Sequence, residues 1–231
     1  VKGLDLGAFH RPAQQVGGDM YNVIPLGDSR VGIAIADVSG KGVAASILMA
    51  ICQTHIEHLA LGRSSPAEVL REMNRVMVGD IRADMFVTMI YAVVDMAAGE
   101  LRVARAGHES PILVREIDGR TETERVCPPG MAVGMVPSDI FDDGIEDAVQ
   151  PFRSGDLLLM YTDGVTEVRN ADGREFSSNR LIDLVRDFHR HPARDINAGI
   201  LAALDRFTGG ADPSDDLTLL TIRHEGGDGE S

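Results

Sequence analysis

An apolar strand that ends in a carboxylate constrains this chain more than any other feature. Residues 30–46 read RVGIAIADVSGKGVAAS: Val31, Ile33, Ala34, Ile35 and Ala36 lead straight into Asp37, and small residues follow at once. Burying an unpaired charge costs several kcal/mol, so a carboxylate there needs a helix N-terminus, a basic side chain or a metal beside it. The same form returns in LLLMYTDGVTE, where an apolar strand ends in Asp163 and a glycine. VGGDMYNV sets Asp19 just before a strand and behind two glycines, and ADPSDDLTLL sets Asp215 and Asp216 before the last apolar run. Any one of these has an ordinary explanation, since aspartates bond local backbone N–H groups in turns. If the fold gathers all four strand ends, however, the carboxylates repel one another and require cations among them. Oxygen donors without neighbouring histidine or cysteine favour Mg²⁺ or Mn²⁺ over zinc.

The periodicity between these points is that of an α+β fold. LDLGAFHRPA, MYNVIPL and RVGIAIADV read as strands, with GDS at 27–29 as a hairpin turn between the last two. The period then changes. GVAASILMAICQTHIEHLALG predicts a helix near 42–60, stopped at Gly62. Ser65 as N-cap and Pro66 at the first helical position predict a second helix near 66–79. Strands resume at 85–95, 101–107 and 111–116, the segment 117–145 reads as loop, and DAVQPF and DLLLMYTD are the next strands. Two amphipathic helices, SSNRLIDLVRDFHR and ARDINAGILAALDRF, precede a closing strand at 216–223. Strands and helices in separate runs imply antiparallel sheets covered by segregated helices. No repeat or domain-scale linker interrupts 1–223, which reads as one domain; 224–231, ending EGGDGES, reads as a flexible tail.

Charge and cysteines exclude several classes of function. With 22 basic against 36 acidic residues the net charge is −14, which leaves little cationic surface for displacing counterions from nucleic acid. No apolar run approaches the ~20 residues of a membrane span and no signal peptide is present. Cys52 and Cys127 have neither metal nor redox spacing and suit a reducing, cytoplasmic setting.

Six stretches in order, RPAQQVGGDMYNV, IADVSGKGVAASILMA, MFVTMIYAVVD, RAGHESPIL, LLLMYTDGVTEVRN and DDLTLLTIR, span about residues 10–223. Together they resemble the PPM family of metal-dependent serine/threonine protein phosphatases, in the bacterial branch typified by the stage II sporulation protein E phosphatase domain. The resemblance implies a four-layer α-β-β-α sandwich, two antiparallel sheets flanked by helix pairs. It implies two Mn²⁺ or Mg²⁺ ions, with Asp37 bridging them, the carbonyl of Val38 as a further ligand, and Asp163 and Asp215 as direct ligands. Asp19 would hold the site directly or through water, and Asp216 would stand behind it. Catalysis would run through a metal-activated water positioned by Asp37, Asp163 and Asp215, with no protein nucleophile.

The resemblance further implies a phosphorylated STAS-type anti-sigma factor antagonist as substrate, in a partner-switching pathway. It also implies a sensor or receiver domain upstream in the full-length chain, and it leaves room for a homodimer. Two other functions fit the same motifs: a catalytically weak phosphatase-like domain that only binds partners, and a metal-dependent hydrolase of small phosphate esters. Several positions depart from the family pattern. Asn22 stands where many members have an aspartate, and Ser39 where eukaryotic relatives have a histidine. GKG at 40–42 lacks the rest of a nucleotide loop, and Lys41 reads as solvated or as an aid to phosphate binding. His108 in AGHES reads as a structural turn histidine, and His55 and His58 as surface residues.

Overall fold

The computed structural model describes residues 2–79, 81, 85–211 and 213–225. They form two compact units, one of the described residues within 14–110 and 126–152, the other of those within 1–13, 111–125 and 153–231. Each is built on its own five-stranded antiparallel sheet, as the separated runs of strands and helices require.

In the first unit the strands are β2 (Met20–Pro25), β3 (Arg30–Val38), β4 (Val87–Asp95), β5 (Glu100–Ala106) and β8 (Ala148–Pro151), in the order β2-β3-β4-β5-β8. Two helices, α1 (Val43–Ala60) and α2 (Pro66–Met77), lie on this sheet, α1 against β2 and β3, α2 against β4 and β5. Ala34, Ala36, Val38, Met89, Tyr91 and Ala104 of the sheet meet Leu48, Cys52, Ile56, Leu70 and Met73 of the helices in one core. The alternate residues of β3 and β4, Val31, Ile33, Ile35, Ile90, Ala92 and Val94, are buried as well. Burial on both faces explains why β3 reads as a continuous apolar run rather than an alternation. Ser65 caps α2 as its position predicts, its hydroxyl accepting from the Glu68 N–H at 3.2 Å.

The second unit orders β1 (Leu4–Arg11), β10 (Leu217–His224), β9 (Leu157–Tyr161), β6 (Ile112–Ile117) and β7 (Arg120–Arg125) as β1-β10-β9-β6-β7. Helices α5 (Ser178–Phe188) and α6 (Ala193–Thr208) cover it, packing Leu181, Val185, Ile196, Ile200 and Leu204 on Leu157, Leu159, Tyr161 and Leu219. A single helical turn, α4 (Asp163–Thr166), follows β9 directly.

The expected loop at 117–145 is wrong in part, because it contains β7 and a short helix, α3 (Ser138–Asp143). β7 reads RTETER, a polar edge strand paired only with β6, so it carries no apolar alternation. Its signal is the turn: Ile117 pairs with Arg120, and Asp118 and Gly119 both take positive φ, the two-residue hairpin that Asp-Gly favours. The closing strand runs one residue past its expected end, since β10 includes His224, the first residue of the expected tail; residues 226–231 lie outside the described residues.

Among the described residues α1 is the one helix long and apolar enough to cross a membrane, with a mean hydropathy of 1.2 over 18 residues. It nevertheless packs one face, Ala45, Leu48, Cys52, Ile56 and Ala60, into the core of its unit. Cys52 is fully buried and burial pushes its thiol up to about 12, whereas Cys127 is exposed. A thiol reagent at about pH 8 should therefore label Cys127 alone in the native chain and Cys52 only on unfolding. The folded-state value lies above that of a free thiol. The stability this residue contributes is thus complete below about pH 8.5 and is lost as pH rises toward the folded value. Rapid native labelling of both cysteines would contradict this packing.

Candidate metal centre

Each unit gathers its aspartates at one end of its sheet. In the first, Met20 of β2 pairs with Ala36 of β3, so Asp19 stands opposite Asp37 as the register continues. The Val38 N–H donates to the Gly18 carbonyl at 3.3 Å, and the Ser46 hydroxyl of α1 donates to the Gly17 carbonyl at 2.9 Å. The double glycine thus lets the strand carrying Asp19 lie against the end of β3: a Cβ on Gly18 would sit 3.1 Å from the Val38 oxygen. Asp19 is buried, and Asp37 is half-buried on the sheet face opposite the one that α1 and α2 cover.

In the second unit Tyr161 pairs with Leu219, and beyond the ladder the Thr162 N–H donates to the Thr218 carbonyl at 3.2 Å. The Thr162 hydroxyl accepts from the Thr218 N–H at 3.1 Å. Asp163 thereby begins α4 beside the Asp215–Asp216 segment. The contact there is so close that a Cβ on Gly164 would lie 2.0 Å from the Asp216 carbonyl oxygen. The two adjacent aspartates are held differently. Asp216 is buried and accepts the Ala13 N–H at 2.8 Å, while half-buried Asp215 accepts the N–H of Asp216 at 2.9 Å.

In each unit these groups suit a hard divalent cation. The donors are carboxylates and a strand-end carbonyl, and Gly18 and Gly164 leave backbone where a side chain would otherwise intrude. Among the described residues no three His, Cys, Asp or Glu side chains gather closely enough to hold a metal by themselves. Mg²⁺ keeps several waters and commonly takes only one or two carboxylates with substrate phosphate, so a complete protein cage is not what such an ion demands.

The other sequence candidates are placed clearly. Asn22 pairs with Ala34, which puts it on the helix face, where its amide donates to Glu57 of α1 at 2.8 Å. The Ser39 hydroxyl accepts the Phe86 N–H at 2.8 Å. His58 is exposed and its Nδ1 bonds the Thr54 carbonyl one turn back, as a surface histidine does. Lys41 is exposed in the turn before α1. Thr88, which no sequence signal singled out, donates to the Asp37 carbonyl at 3.3 Å and contacts Nδ1 of buried His108 at 2.8 Å.

Residues 27–225 match the family described as Stage II sporulation protein E (SpoIIE). The chain belongs to this family. It is 34% identical over 170 residues to the phosphoserine phosphatase RsbU of Bacillus subtilis (strain 168), an alignment covering 74% of this chain and 49% of RsbU. The chain therefore spans about half the length of that relative. Among solved structures, that of the RsbU and RsbW domains of Rv1364c from Mycobacterium tuberculosis has a TM-score of 0.82 at 26% identity, over 96% of this chain and 60% of that one. The SiaA-PP2C domain of Pseudomonas aeruginosa has a TM-score of 0.80 at 24% identity, over 94% of this chain and 85% of that one. The α+β arrangement of two antiparallel sheets with helices is thus the PP2C fold.

The Gly164 contact makes a prediction within this family frame. Gly164→Ala should lower stability by about 1–3 kcal/mol, because backbone on both sides must move to admit the methyl. Urea unfolding should show a lower midpoint at unchanged slope. A midpoint equal to wild type would mean that the Asp163 turn does not rest on Asp215–Asp216.

Proposed function

We propose that residues 1–223 form one phosphatase domain that hydrolyses phosphoserine or phosphothreonine on protein substrates with two Mn²⁺ or Mg²⁺ ions. The observation that carries this reading is the end of β3, where the Val38 N–H donates to the Gly18 carbonyl and the β2–β3 register, continued one step past Met20–Ala36, sets Asp19 opposite Asp37. Asp163 and Asp215 supply the second set of carboxylates, and Asp216, tied to the Ala13 N–H, orients that segment. Bound divalent ions would neutralise phosphoryl oxygens and acidify a water, which is the chemistry an in-line displacement needs. The protein supplies the rest. Asp19, Asp37, Asp163 and Asp215 provide the negative charge that holds the cations, and the sheet ends fix where those charges stand.

The substrate in this reading is a phosphorylated STAS-type anti-sigma factor antagonist in a partner-switching pathway. Likeness to RsbU, and to a mycobacterial protein that carries RsbU and RsbW domains together, supports it. A sensor or receiver domain upstream fits the length of RsbU, of which this chain spans about half. Two free cysteines and a net charge of −14 suit a cytoplasmic protein that does not bind nucleic acid.

Manganese-dependent release of phosphate from a phosphoserine-bearing STAS domain, measured beside an aryl phosphate, tests the reading. The phosphoprotein should be turned over with much the higher kcat/KM. Asp37→Ala should lose about 100-fold or more while remaining folded, and the metal-free variant should melt no lower than wild type, since a like charge has been removed. Preference for the small ester would favour a hydrolase of metabolite esters. Absence of turnover on both would favour a partner-binding module, and full activity in Asp37→Ala would overturn the metal assignment.

A further inference from the structure

The turn histidine and the threonine beside it have a role beyond packing. We propose that His108 is a positioning residue that acts through Thr88 to hold the Asp37–Val38 peptide in the orientation that metal binding needs. The inference rests on the reading of Asp37 and the Val38 carbonyl as ligands.

Asp37 of β3 and Thr88 of β4 are directly paired, so their side chains project from the same face of the sheet. The Thr88 hydroxyl lies 3.3 Å from the Asp37 carbonyl oxygen and 2.8 Å from His108 Nδ1. A carbonyl only accepts, and a hydroxyl has one proton to give. In the proposed arrangement the Thr88 hydroxyl donates to the Asp37 carbonyl and His108, in its Nδ1–H tautomer, donates to Thr88. His108 is 5% exposed, and its own carbonyl accepts from the Arg105 guanidinium at 3.2 Å, so the donor is itself anchored. The Arg105 side chain also donates to the Pro128 carbonyl at 3.0 Å, which ties this anchor to the 126–136 segment.

The bonded carbonyl belongs to the peptide that joins the two proposed ligands. Its other end is held too, because the Val38 N–H donates to Gly18. The next peptide is fixed by a reciprocal pair, Ser39 N–H to the Phe86 carbonyl at 2.9 Å and Phe86 N–H to the Ser39 hydroxyl at 2.8 Å. With both ends of the Asp37–Val38 unit restrained, the direction of the Val38 carbonyl and the root of the Asp37 side chain are set before any ion arrives. Groups that hold ligands in this way typically alter metal affinity 10- to 100-fold when removed.

Manganese binding to the 231-residue chain, followed by calorimetry, together with kcat at saturating manganese, tests the proposal. Thr88→Val and His108→Phe should each raise the manganese dissociation constant about 10-fold, while kcat recovers once enough metal is present. Thr88→Ser and His108→Asn keep a hydroxyl and an amide donor at the required places, and should bind manganese like wild type. These two variants keep the test decisive if the larger changes unfold the chain, which metal-free melting reports. The double variant Thr88→Val/His108→Phe should be no weaker than the weaker single one, since both act on one carbonyl. Wild-type affinity in either Thr88→Val or His108→Phe would overturn the proposal, as would failure of folded Thr88→Ser or His108→Asn to bind like wild type. Asp37→Ala separates the two readings: if it loses manganese while Thr88→Val does not, only the positioning role fails. If Asp37→Ala binds as wild type, the ligand assignment fails and the positioning role with it.

Discussion

A carboxylate delivered to the end of a buried strand is the constraint on which the rest of this structure turns. β3 and β9 are buried strands, and each delivers an aspartate at its end, Asp37 and Asp163, next to further aspartates on the neighbouring strand. No hydrophobic argument places charges there. A protein core gains free energy by excluding such groups, so carboxylates held at one end of each sheet need hydrogen-bond donors or an opposite charge beside them. The surrounding backbone is shaped to allow it, by glycines that let segments touch and by N–H groups that steady the carboxylates and the carbonyls between them.

The rest of each unit supplies rigidity for those ends. Ladder pairing runs through Asp37 and Val38 on β3, and the Thr162–Thr218 bonds extend the β9–β10 pairing toward Asp163. Helices α1 and α2 on one unit, and α5 and α6 on the other, bury the apolar side chains that stabilise the sheets, leaving the strand ends as the place where polar chemistry is held. The proposed site thus sits where regular pairing stops, on elements whose positions the core has already fixed.

Much of this was legible in the sequence, for physical reasons that differ by element. The apolar runs of β3 and β9 mark strands buried on both faces, and the switch from strand to helix period marks α1 and α2, with Ser65 and Pro66 fixing the start of α2. The strand-end aspartates could be picked out because the form recurs: Asp37 and Asp163 each follow an apolar run and precede small residues, and Asp19 and Asp215–Asp216 stand just before strands. Two kinds of feature were not legible. β7 has no apolar face, and only its Asp118-Gly119 turn betrays it. The link from His108 through Thr88 to Asp37 joins residues far apart in the chain, and register between β3 and β4, which no local pattern encodes, brings them together. Asn22 illustrates the same limit, since pairing with Ala34 turns it toward α1 rather than toward Asp37.

The proposed chemistry requires cations bound by these carboxylates. The most direct measurement is anomalous scattering from crystals of the chain grown with manganese, recorded at the manganese absorption edge. It should place manganese peaks beside the Asp37 carboxylate and beside Asp163 and Asp215, with the Val38 carbonyl oriented to one of the ions. An anomalous map with no peak at Asp37, at manganese concentrations that support turnover, would contradict it.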